Sequence, residues 1–169
     1  MRLKSRKYPN IEYEKGEEIF LFSEAEGHPR FIFDVEEALT SDDKVMEEIG
    51  LALDEVETLE EIAKDCLKQC LSKEDDEYFA TVSYFMEFHR DELDEKTVES
   101  IFEGKRREEL SFAQMVDYLK LNRFGNLIDG EWEKHVMVLD LTFDPEITDE
   151  LLVVYFDLGR NVVCITHES

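Results

Sequence analysis

The sequence predicts an α+β fold: an antiparallel sheet made from an amino-terminal hairpin and a carboxyl-terminal three-stranded meander, with about five helices inserted between them and packed on the sheet. Three observations carry this expectation. Residues 17–35 alternate like short strands around turn residues, residues 41–121 switch to a helical period, and the chain from Lys134 onward returns to runs of Val, Ile, Leu, Phe and Thr. Both strand groups need an edge partner, and one shared sheet supplies it.

In chain order, Glu18 to Ser23 and Arg30 to Val35 read as the hairpin strands. They are joined by Glu24 to Pro29, where Gly27 and Pro29 suit a turn. The first helix starts near Ser41. In the second, Val56, Leu59, Ile62, Ala63, Cys66, Leu67, Cys70 and Leu71 recur at three- and four-residue spacing and form one apolar stripe, opposite Glu57, Glu60, Glu61, Asp65 and Lys68. A third helix near Glu77 to Arg90 repeats the pattern with Tyr78, Phe79, Val82, Phe85, Met86 and His89. A fourth spans Glu95 to Phe102 with Gly104 as its carboxyl-terminal cap, and a fifth runs from Phe112 to Leu121. Asp54 with Glu57, and Ser111 with Gln114, have the spacing of capping boxes, in which two side chains satisfy orphan backbone donors at a helix start. Asn122 to Glu133, with two glycines and Trp132, reads as the least regular loop. The meander strands are His135 to Phe143, Glu150 to Asp157 and Asn161 to His167; Leu151 to Phe156 is apolar on both faces, as a central strand covered on each side requires.

Length fits a single domain over residues 1–169, with residues 1–12 most prone to fraying. A net charge of -24, from 43 acidic against 19 basic side chains, repels nucleic acid and anionic lipid and attracts basic partners. The hydrophobic fraction of 43%, with 12 Phe, argues against disorder. No apolar run is long enough for a membrane span, and none at the amino terminus reads as a signal peptide. With three cysteines unable to pair completely, a cytoplasmic protein is expected.

The carboxyl-terminal strands resemble a bacterial family of unknown function, the domain-of-unknown-function family two thousand and four. The resemblance is carried by Val138-Leu139-Asp140, Glu146-Ile147-Thr148-Asp149, Leu151-Leu152-Val153-Val154, Phe156-Asp157, Gly159 and the final Glu168-Ser169. With Phe88-His89 and the helix before them, it covers about two thirds of the chain. It implies a cytoplasmic bacterial α+β protein, and no activity, cofactor or catalytic residue. Leu141 and Glu150 stand where that family is expected to carry tyrosine, so no role of those tyrosines transfers.

Cys66 and Cys70 continue the core stripe, and their four-residue spacing is not that of a zinc knuckle, so no metal site or cofactor is expected. There is no phosphate-binding glycine loop and no nucleophile-elbow motif. The acidic runs lack the ligand alternation of a calcium loop. Asp140 stands out as a carboxylate inside an apolar strand, which must face solvent or be tied into a hydrogen bond.

Two readings follow. In the first, the chain is a non-enzymatic module whose acidic surface, including Glu57, Glu60, Glu61, Asp144, Glu146 and Asp149, captures a basic protein, as an immunity protein does for a cationic toxin. In the second, it is a small hydrolase or metal-dependent enzyme in which Asp140 meets His135, His167 or His89 in a pocket on the sheet. Neither reading involves nucleic acid or a membrane.

Overall fold

The computed structural model describes residues 1–22 and 25–169. Ser23 and Glu24, where the expected first strand ends and its turn begins, lie outside the described residues. Strand β1 (Ile19–Leu21) pairs antiparallel with β2 (Ile32–Val35). Six helices follow: α1 (Glu37–Thr40), α2 (Asp43–Asp54), α3 (Val56–Leu71), α4 (Phe79–Glu87), α5 (Glu95–Ile101) and α6 (Phe112–Val116). Four strands complete the chain: β3 (Lys120–Asp129), β4 (Lys134–Thr142), β5 (Leu151–Phe156) and β6 (Val162–Glu168).

The sheet corrects the expected architecture. It is one six-stranded sheet in the order β1-β2-β3-β4-β5-β6, and it is mixed, because β2 and β3 run parallel. The purely antiparallel sheet of a hairpin plus a three-stranded meander is therefore overturned. The missing piece is β3, which takes the end of the expected fifth helix and most of the stretch expected to be the least regular loop. Its Asn122, Gly125 and Asn126 are poor strand formers, yet it pairs on both sides, with β2 and β4. Parallel strands need a long crossover, and the helices between Glu37 and Val116 provide it. The last helix accordingly stops at Val116 rather than Leu121, so that Lys120 can enter the sheet.

The helix starts divide in the same way. Ser111 and Gln114 form the expected capping box, with the Gln114 amide donating to the Ser111 hydroxyl and the Ser111 amide to the Gln114 side chain. Gly104, at φ 84°, ends the turn after α5, and its amide donates to the Glu99 carbonyl at 2.7 Å. Asp54 caps nothing. Glu55 stands at the start of α3, and the Asp54 carboxylate accepts instead from the Ser5 hydroxyl and the Arg6 and Lys7 amides. Burial raises the Asp54 pKa, but these three donors outweigh it and hold the carboxyl below its ordinary range. The first residues are thus fastened rather than frayed: Leu3 and Ile11 are buried, and the Leu3 amide donates to the Ile11 carbonyl.

Side-chain alternation gives the sheet two unlike faces. Phe33, Val35, Phe124, Met137, Leu139, Leu141, Leu152, Val154 and Phe156 join the helices in the main core. The opposite face holds a smaller cluster of Val136, Val138 and Val153 under half-buried Leu127, Trp132, Leu151 and Tyr155, and no helix residue belongs to it. Among the described residues, no helix is long and apolar enough to cross a membrane.

Candidate functional site on the open sheet face

Strand register brings two rows of side chains onto the face away from the helices. One row runs Phe20, Asp34, Gly125, Val138, Tyr155; the next runs Ile32, Arg123, Asp140, Val153, Thr166. At their centre Arg123 reaches across Gly125 to Asp34, donating from Nε at 2.6 Å and from a terminal nitrogen at 2.8 Å, and its other terminal nitrogen lies 3.4 Å from Asp140. Gly125 makes this possible: a Cβ there would lie 2.6 Å from the guanidinium. The Asp34 contact raises the Arg123 pKa further, against the opposing effect of burial, and the guanidinium stays charged.

Asp140 is the unusual member. It is 6% exposed, and while one oxygen faces Arg123, the other, Oδ1, is buried with no partner among the described residues. Burial pushes its pKa up, Arg123 pulls it down, and the nearby Glu168 and Asp34 charges push it up again. Two carboxylates on one guanidinium leave the cluster net negative.

Beside it lies a shallow cavity of about 250 Å³ between β1, β2 and β3. Its apolar lining is Ile19, Phe20, Val35, Leu127 and Ile128, its acidic lining is Glu18, Asp34 and Glu36, and no cation among the described residues lines it. Phe20 is 64% exposed and Phe22, just beyond β1, is 78% exposed. A short edge strand thus displays two phenylalanines next to carboxylates.

The histidines lie elsewhere. His167 alternates with Thr166 and so points to the helix side, where it pairs with Glu150 and meets Phe85 edge-on. His89 is fully buried. Its Nδ1–H donates to the Phe85 carbonyl at 2.8 Å, its ring packs on Phe85, Phe88 and Phe143, and burial lowers its pKa. His135, at the start of β4, bonds Asn126 at 3.0 Å. His89 and His167 therefore meet around Phe85, whereas Asp140 joins none of the three.

The acidic residues expected to bind are divided between α3 and the β4–β5 loop. Glu57 is taken by Lys7 at 2.6 Å and Glu60 by Lys64 at 3.3 Å, while Glu61 is exposed without an ion pair among the described residues. Asp144 accepts from the Glu146 amide in its turn, and Glu146 and Asp149 are exposed. Lys4 and Lys15 likewise take Glu47 and Asp43 on α2. The helical acidic face is thus partly neutralised by the chain's own amino-terminal segment.

Among the described residues, no three His, Cys, Asp or Glu side chains gather as a metal cage. Cys66, Cys70 and Cys164 are unbridged, and burial pushes the Cys70 thiol up to about 12. Of the open-face residues, Asp140 alone stands out in the sequence. Asp34, Arg123 and Gly125 do not, because their meeting depends on the parallel pairing of β2 and β3. Arg123-Phe124-Gly125, a lone cation two residues before a glycine, is the available signal. Comparison of the chain with protein-family models, with curated proteins and with solved structures finds no match.

Proposed function

We propose that the chain is a non-enzymatic binding module that captures a basic protein on the open face of its sheet, as an immunity protein neutralising a cationic toxin does. The observation that carries this reading is Asp140, a buried carboxylate with one oxygen unpartnered among the described residues, in a net negative cluster whose other carboxylate, Asp34, lies opposite exposed Phe20 on the neighbouring strand. A buried acceptor without a partner is costly, and a guanidinium or ammonium brought to it recovers that cost. The adjoining cavity suits the same group: Phe20, Leu127 and Ile128 take the aliphatic stem of Arg or Lys while Glu18 and Asp34 face its head. Burying Phe20 and Phe22 adds roughly 1.5–3 kcal/mol per ring before association costs. The overall charge of -24 steers a basic partner toward the molecule from a distance.

The test uses a defined probe, a peptide alternating arginine and leucine, against a glutamate-leucine peptide of equal length. Calorimetry should show binding of the basic peptide alone, weakening about tenfold between ~50 and ~500 mM salt. Asp140→Asn and Phe20→Ser should each weaken it while leaving the unfolding midpoint within a few degrees of the parent. Equal binding of both peptides, or loss of binding on neutralising α3 instead, contradicts the proposal.

A further inference from the structure

A second cavity, of about 670 Å³, opens at the end of the sheet where the β3–β4 turn approaches the β5–β6 turn. Its walls are Trp132, Val136, Leu158 and Val163, with Lys134, His135 and Asp157 as the polar lining. That volume lies within the range of small-molecule sites, and an apolar wall with few polar groups is their usual make-up. We propose that this cleft binds a small planar heteroaromatic anion, stacked on Trp132, donating a ring N–H to His135 Nδ1 and placing its negative group at Lys134.

The hydrogen-bond network fixes the role of His135. The Asn126 amide donates from its nitrogen to the Asp34 carbonyl at 3.5 Å, so its oxygen faces His135 and accepts from Nε2–H. The proton is therefore on Nε2, and Nδ1 carries a lone pair. Nδ1 is buried without a partner among the described residues, in a side chain only 8% exposed. Burial, with a smaller push from Arg160, lowers the His135 pKa to about 4, so the ring stays a neutral acceptor at neutral pH. An acceptor of this kind favours a ligand donor over a bare hydrocarbon.

The lining holds one cation, Lys134, and one carboxylate, Asp157, and which of the two is free to meet a ligand sets the ligand's sign. Asp157 is already engaged, accepting from the Asn161 amide and side chain, and Arg160 donates to the Leu158 carbonyl and lies 3.4 Å from Glu55. Lys134 makes no ion pair among the described residues. An uncommitted lysine in so acidic a chain offers the cleft its cation.

Three probes of similar size separate the contributions: indole-3-acetate, 1-naphthaleneacetate and tryptamine. The chain has one tryptophan, so its single indole N–H resonance reports on Trp132 alone, and the His135 ring nitrogens report on the proposed bond. Indole-3-acetate should shift the Trp132 signal saturably and move Nδ1 toward the hydrogen-bonded range. Naphthaleneacetate, lacking the N–H, should bind about tenfold more weakly, and so should tryptamine, with its charge reversed. Trp132→Ala, a half-exposed turn position, should abolish the shift at His135 Nδ1, and Lys134→Gln should weaken binding without altering the fold. Equal affinity for all three probes, or no saturable shift at millimolar probe, overturns the proposal.

Discussion

An alanine at position 125 would set its Cβ 2.6 Å from the Arg123 guanidinium, so Gly125→Ala must push the arginine off Asp34 or bend the strand. The expected cost is about 1–3 kcal/mol, read as a lower denaturant midpoint. Arg123→Met removes the shared cation and leaves Asp34 and Asp140 facing each other. It should destabilise more than Gly125→Ala and raise the Asp140 pKa beyond its already elevated position, which carboxylate NMR titration reads directly. A midpoint unchanged in both variants contradicts the clamp. Asp140 was legible as an exception from its place in an apolar strand, because a charge there demands a partner. That partner was not legible, because Arg123 and Asp34 belong to strands separated by the whole helical region.

Among the elements, periodicity served where a segment buries one face. The stripe of α3 from Val56 to Leu71 and the apolar run of β5 could be placed to within a residue or so. It failed at β3, a central strand whose residues are chosen for the site rather than for strand propensity: Gly125 for clearance, Arg123 for charge, Asn126 for its two hydrogen bonds. It also failed at Asp54, where a correct capping spacing was overridden by the donors of residues 5–7. The two capping sites make opposite predictions. Ser111→Ala should cost α6 about 1 kcal/mol by removing a real cap. Asp54→Asn should instead loosen the amino-terminal segment, seen as faster amide exchange at Leu3 and Tyr13, whose amides bond across that segment. Protection unchanged at those amides contradicts this anchoring.

Across the whole molecule, burial of neutral histidine sets an acid limit on stability. His135 falls to about 4 from an ordinary value of 6.5, and His89 is lowered in the same direction. Between those values the unfolded chain binds more protons than the folded one, so stability is complete above about pH 6.5 and is lost as pH falls toward 4. His135 alone should cost about 2 kcal/mol between pH 7 and pH 5, and His135→Gln should flatten the profile. Urea titrations at the two pH values check this, and equal midpoints for the parent chain contradict it.

At the same scale, the charge of -24 is not spread over equivalent faces. Lys4, Lys7 and Lys15 compensate part of the helical side, whereas the open sheet face keeps Glu18 near exposed Phe20 at its β1 edge and the spare oxygen of Asp140 near Glu168 further in. The central claim, that a basic partner is taken on that face, is tested most directly by a residue-resolved NMR titration with the arginine-leucine peptide. The account predicts saturable shifts clustered at Phe20, Asp34, Leu127, Ile128, Asp140 and Tyr155. Shifts confined to α3 around Glu57 and Glu61, or spread evenly over the surface, would contradict it.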